Sequence, residues 1–436
     1  TMLFDVETNF GTQGGTKEYK PQNYDGKFHG PLQMKETLAQ SLNIPAVKTL
    51  YLAGVKDSIA TAKKMGITGL NNPDRLGLSL VLGGGEVKLL DHVNAYGTFA
   101  AGGIKHNTAA ILKIEDGKGK IFEQYKQSDG ERVVDEKYIA MIDHIISTND
   151  YRAPIFGENS PLRFDNRPVA AKTGTTNEFR DGWTIGYTPS IVAGVWAGNN
   201  NNSPMRAGAD GVNVAAPIWR SFMDKVLGNY SIEQFPKYEK EDTGKDILDG
   251  KIKIEKNVKV CEIPEKDNKY CLANAFCVDA EKKDFADAHD ILYYVNKNDP
   301  RGDAPKNPKN DPQFDNWEKG VKKWFEKNKE DYINQSPPTE ECKAEDFKQY
   351  QPSIALSLSQ SANQLSISSN INAPYGISNV DFYVDGDKVA SSDSGSASYA
   401  LPAESIGKSV EVKVIITDRN GNTASDGKKI DIAAWQ

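Results

Sequence analysis

No run of apolar residues in this chain approaches the ~18 needed to cross a bilayer. Its start, Thr1-Met2-Leu3-Phe4-Asp5, has neither the basic segment nor the apolar core of a signal peptide. For an exported protein, the signal and membrane anchor are therefore expected upstream of residue 1, and the chain reads as a piece of a longer one. Histidine is scarce: His29, His92, His106, His144 and His289 are scattered. A Ser-His-Asp relay has nothing to stand on, and no metal or cofactor is expected. Basic clusters are lacking too, and the net charge of −7 excludes a general nucleic-acid binder. Cysteine is missing everywhere except one stretch, which holds Cys261, Cys271, Cys277 and Cys342. Such a cluster reads as two disulfides formed in an oxidising compartment, with the pairing open and free thiols as the alternative. Zinc would require closer cysteine pairs than these uneven gaps provide.

What is present changes character along the 436 residues, enough for two or three domains. Helical signals come first. Met34, Leu38 and Leu42 recur one turn apart, Pro45 opens a second segment, and Asp57-Ser58 can cap a third that Gly66 ends. Leu89, Leu90, Val93, Tyr96 and Ala100 make another stripe, and Tyr138 to Ile146 a further one. From residue 168 the period shortens. Val169 to Thr175 reads as a strand, and 183–187 with 191–196 as a hairpin about Thr188-Pro189-Ser190. Helical spacing returns over 215–227, with Ile218, Trp219, Phe222 and Val226 on one face. Helices, then an antiparallel sheet, then a helix is an α+β pattern. Residues 236–350 are irregular and are expected to form a cysteine-containing, Pro/Asn-rich connector. Within it, Trp317, Trp324 and Phe325 are read as packing residues, and scattered aspartates keep no calcium-loop spacing. Over 351–436, short alternating runs between turns such as Asp385-Gly386 predict a small all-β, immunoglobulin-like sandwich.

The sharpest local chemistry is Lys172-Thr173-Gly174-Thr175. On a strand, alternation puts the Thr173 and Thr175 hydroxyls on one face, where both could hold a carboxylate. Gly174 removes bulk so that a backbone or ligand can approach, and Lys172 supplies positive potential. Upstream lies Ser41-Leu42-Asn43-Ile44-Pro45-Ala46-Val47.

These two segments resemble the second (Ser-x-Asn) and third (Lys-Thr-Gly) motifs of penicillin-binding transpeptidases. Leu80–Gly103, Asp181-Gly182-Trp183 through Trp196-Ala197-Gly198-Asn199, and Ala216-Pro217-Ile218-Trp219 are similar to the class A, bifunctional members. The resemblance covers roughly residues 1–235. It implies the penicillin-binding/β-lactamase-like fold and D,D-transpeptidation by serine acyl transfer, crosslinking stem peptides that end in D-Ala-D-Ala, with β-lactams as inhibitors. By the same resemblance, Ser41 relays a proton together with Lys172, and Asn43 holds the substrate backbone. Thr173, Gly174 and Thr175 bind the terminal carboxylate and provide half of an oxyanion hole. The expected location is the outer face of a bacterial cell membrane.

The departure is the nucleophile. No Ser-x-x-Lys precedes Ser41; the matches, Ser405-Ile406-Gly407-Lys408 and Ser425-Asp426-Gly427-Lys428, fall in the β-rich tail, where serine and lysine are not expected to share a helix face. The chain by itself is thus expected to be inactive. Two other readings use the same residues: a β-lactamase-like hydrolase or β-lactam sensor, and a non-catalytic wall-binding protein. The tail is expected to dock to peptidoglycan or to a partner of the synthase.

Overall fold

In the computed structural model, which describes residues 1–12, 17–72, 75–252, 254–277, 279–328 and 333–435, the chain divides into two units. The first comprises residues 1–253 and 288–328, the second 254–287 and 329–436.

The first unit is built on a three-stranded antiparallel sheet, β7 (Ala170–Thr175), β8 (Asp181–Thr188) and β9 (Ile191–Gly198), in that order, so β7 is an edge. The helices before it are α1 (Met34–Ala39), α2 (Asn43–Ala53), α3 (Val55–Lys64), α4 (Leu89–Ala100), α5 (Glu136–Ser147) and α6 (Asn149–Phe156); α7 (Ala216–Val226) follows. β1 (Met2–Asp5) pairs with β2 (Gly30–Gln33), and β3 (Ile104–Lys105), β4 (Lys113–Glu115), β5 (Ile121–Gln124) and β6 (Glu131–Arg132) form two small pairs.

Strand alternation sorts the sheet's two faces. Val169 and Ala171, with Ala193 and Val195, join Trp219 and Met223 of α7 in one core. Ala170 and Tyr187 join Ala39, Ile145 and Ile146 in another. Helix α7 therefore turns Ala216, Trp219 and Met223 inward, while Ile218 and Phe222 stay exposed, unlike the stripe expected from sequence. Helix α3 also begins earlier than expected, at Val55 after Gly54, which leaves Asp57 and Ser58 inside the helix.

The segment expected as a connector contributes to both units. Residues 288–328 pack into the first, through α8 (Ile291–Tyr294) and α9 (Phe314–Lys327). Phe314, Trp317, Val321 and Phe325 recur at helical spacing and are buried. Trp317 is fully enclosed in the core with Leu3, Phe10, Ile44 and Val47. Gly320 lets α9 lie close on the segment that follows β1, since a Cβ there would meet the Glu7 carbonyl at 2.6 Å. Within this core Lys48 of α2 and Asp290 form a buried ion pair at 2.5 Å; Lys48 also donates to the Phe4 carbonyl at 3.1 Å.

The second unit carries β10 (Ile254–Glu262) between β11 (Tyr270–Leu272) and β12 (Glu281–Ala286). Disulfides join Cys261 to Cys277 and Cys271 to Cys342, and all four cysteines are buried. Beyond them, β13 (Ser353–Ser361), β14 (Gln364–Asn372) and β17 (Ser396–Ala400) form one antiparallel sheet. β15 (Ile377–Val384), β16 (Asp387–Ser392), β18 (Ser409–Asp418) and β19 (Thr423–Asp431) form a second. Leu356, Leu365 and Ile367 from the first sheet meet Val380, Phe382, Val412, Val414 and Ile416 from the second in a single core. This is the all-β region that the alternating pattern predicts.

Candidate active site

Ser41 sits where α1 ends and α2 is about to begin. Its N–H donates to the Leu38 carbonyl at 3.1 Å, and its φ of 62° closes α1 in the left-handed conformation usually given to glycine. The tight reversal leaves its side chain exposed. From the edge strand β7, the Lys172 Nζ donates to Ser41 Oγ at 2.7 Å and to the Thr173 carbonyl at 2.8 Å. Residues 131 apart in sequence are thus brought into one hydrogen-bonded pair.

Burial, and then the neighbouring Arg152 guanidinium, lower the Lys172 pKa to about 8. Arg152 is itself buried, donates to the Ala171 and Ile146 carbonyls, and is lowered to about 10 by burial. A low-dielectric pocket with a second cation beneath it favours the neutral amine, so the lysine can exchange a proton near neutrality.

Asn43 opens α2. Its N–H donates to Asn23 Oδ1 at 2.8 Å and its Nδ2 to the Gln22 carbonyl at 2.7 Å. A segment distant in sequence therefore caps this helix, because Leu42 at its start has no capping side chain. Asn23 is held in turn by the buried Asp5, to which His29 also binds at 2.7 Å.

By strand alternation Thr173 and Thr175 share a face, and both stay partly exposed. Thr175 Oγ1 accepts from the Gly211 N–H at 3.0 Å and so keeps its own proton to donate. Opposite Thr173 in the register, Thr184 donates to the Gly211 carbonyl at 3.1 Å. The close backbone approach expected at Gly174 occurs, but the residue that needs to be glycine for it is Gly211. A Cβ there would collide with the carbonyls of Gly174 and Trp183, whereas one at Gly174 would make ordinary contact with Trp183. The end of the β7–β8 hairpin is tied by Asp181, which accepts from Thr176 Oγ1 at 2.7 Å and Trp196 Nε1 at 2.8 Å.

Of the tail matches to Ser-x-x-Lys, Ser425 and Lys428 lie three apart on strand β19, hence on opposite faces, and Gly407 interrupts the other at a φ of 75°. Neither is a helical Ser/Lys pair.

The model of the penicillin-binding protein transpeptidase domain matches residues 3–224. The chain belongs to that family. It is 33% identical over 236 residues to penicillin-binding protein 2D of Bacillus subtilis, covering 52% of this chain and 33% of that protein. With penicillin-binding protein 1A of Clostridium acetobutylicum it shares 30% over 234 residues, covering 52% and 27%. The chain thus spans a third or less of these relatives' length. Among solved structures, PonA1 of Mycobacterium tuberculosis matches at 25% identity with a TM-score of 0.47, over 55% of this chain and 66% of that one; it has also been solved with penicillin V.

The residues that sequence reading missed, Asn23, Arg152, Asp181 and Gly211, act by supporting others. Of these, Asp181 lay within a segment that carried the family resemblance.

Proposed function

We propose that this chain forms part of a class A penicillin-binding protein that crosslinks peptidoglycan stem peptides on the outer face of a bacterial membrane. The observation that carries the reading is the Lys172–Ser41 hydrogen bond beside the edge strand β7. A stem peptide ending in D-Ala-D-Ala adds along that edge, with its carboxylate on Thr173 and Thr175 and its backbone amide on Asn43. The acylating serine attacks the carbonyl between the two D-alanines, and the bond to the departing alanine breaks as Lys172 and Ser41 pass a proton to its nitrogen. An amine of a second stem peptide then takes the acyl group. The Thr175 N–H contributes one oxyanion donor, a contact of a kind worth about 2.7–4 kcal/mol of barrier. A β-lactam acylates the same serine. The hydrolase and non-catalytic readings have no observation that favours them over this one.

Since the two Ser-x-x-Lys matches in this sequence lie outside helices, in this reading the nucleophile is not among these residues and the chain alone is inactive. The immunoglobulin-like tail acts in docking. Fluorescent penicillin tests the central reading: this chain should carry no label through denaturing electrophoresis, whereas the full-length protein should be labelled, and Lys172→Ala in it should abolish labelling. Labelling of this chain alone would place the nucleophile on a serine within it.

A further inference from the structure

The second unit carries an open pocket of about 430 Å³ that transpeptidation leaves unused. Its floor is aromatic. Phe347 is buried there, and the rings of Tyr350 and Tyr375 stack with centroids 6.0 Å apart and planes 20° from parallel. Its rim is acidic, built from Glu262 at the end of β10, Glu265 and Asp267 in the following turn, and Asp279 and Glu281 leading into β12.

Five carboxylates face a single ammonium in that lining, Lys266, and Asp346 holds it at 2.6 Å. Glu281 is paired with Lys283 at 2.8 Å, and Glu262 accepts from the Asn268 N–H at 3.2 Å. The lining therefore combines a net negative charge with a stacked aromatic pair. The Tyr375 hydroxyl oxygen is buried and has no hydrogen-bond partner among the described residues. Burial, then Tyr350 and the carboxylates of Asp279 and Asp418, push that phenol up to about 12, so it remains neutral.

A metal ion does not suit this geometry. Calcium takes six to eight oxygens at about 2.3–2.6 Å. Among the described residues the one group of His, Cys, Asp or Glu atoms dense enough for a metal is Cys261, Cys277 and Cys342, which are engaged in disulfides. The rim carboxylates are spread around an opening rather than converged on a point.

We propose that this pocket binds a small organic cation, specifically a primary ammonium on an aliphatic arm, as in a lysine side chain presented by a peptide. The arm lies against the rings, the ammonium takes the π-faces, and the carboxylates supply long-range attraction and acceptors. The volume lies in the range of ordinary small-molecule pockets. The inference stands apart from the transpeptidase reading, since every residue in it belongs to the second unit.

Calorimetric titration of the whole chain with Nα-acetyl-lysine-N-methylamide tests it, with the norleucine compound, which keeps the four-carbon arm and lacks the ammonium, as control. Saturable binding of the lysine compound alone is expected, weakened about tenfold in Tyr375→Leu and in the double variant Glu265→Gln/Asp279→Asn. The double variant changes only exposed side chains, so its melting curve should match the parent's and separate lost binding from lost fold. Equal binding of norleucine, absence of saturable binding, or stoichiometric displacement of the amine by calcium would each overturn the proposal.

Discussion

With its pKa lowered to about 8, Lys172 passes from ammonium to amine close to neutrality, and the same shift has a consequence for stability. A free lysine titrates at about 10.4, so between about 8 and 10 the unfolded chain holds the extra proton and stability rises with pH. At pH 7 the half-buried cation is a burden on the fold. Lys172→Met should therefore melt no lower than the parent at pH 7, with its relative advantage shrinking towards pH 10, while penicillin acylation of the full-length enzyme is lost. Calorimetry across pH paired with labelling checks both halves. Asp143 runs in the opposite sense. It is buried beneath the sheet, accepts from Tyr187 Oη at 2.6 Å, and is raised to about 6 by burial, which the tyrosine only partly offsets. Its contribution to stability is complete below about pH 4 and is lost as pH rises through 6, at up to about 1.4 kcal/mol per pH unit. Asp143→Asn should flatten that fall in a urea-unfolding series between pH 4 and 7.

At the scale of elements, what could be read in the sequence followed from periodicity. The β8–β9 hairpin and the tail strands alternate cleanly and were legible. Lys-Thr-Gly and Ser-x-Asn named the two ends of the site, yet nothing local in either could show that α1 would turn back through a left-handed Ser41 to meet β7. Gly211 and Arg152 serve only as neighbours of distant residues, and such roles leave no pattern. Helix α9 is a different failure: Phe314, Trp317, Val321 and Phe325 had the spacing, but the Pro/Asn-rich run before them disguised it. Asp290, just before α8, forms the ion pair with Lys48 of α2 and donates its N–H to Glu318 of α9 at 3.2 Å; burial raises the aspartate's pKa and Lys48 counters it. One Asp290 oxygen has no hydrogen-bond partner among the described residues. Lys48→Ala strands the remaining charge and should cost about 3–5 kcal/mol, whereas Lys48→Met with Asp290→Leu should cost much less. Equal losses in chemical denaturation of the two variants would mean that the pair is not what anchors the segment.

For the whole molecule, the order in which the chain visits its two units matters more than where either ends. It leaves the first at 253, returns at 288 and leaves again at 328. The Cys271–Cys342 bond joins the two visits to the second unit across a separation of 71 residues, and everything in 288–328 lies on the span between those cysteines. A loop of that length constrains the unfolded chain by about 4 kcal/mol in the loop-entropy model. The exposed turn around Arg301-Gly302-Asp303 is a natural target for a protease. A single cut there should yield two pieces on a reducing gel and one full-length band without reductant; two bands under both conditions would show that Cys342 is bonded to none of the other three. The bond thus makes the molecule a closed ring with two tails, and a ring opened at one point is still one covalent object. Exposed to proteases, such a chain can be nicked in the irregular stretch between α8 and α9 and still keep α9, and the core that α9 completes, attached to the rest.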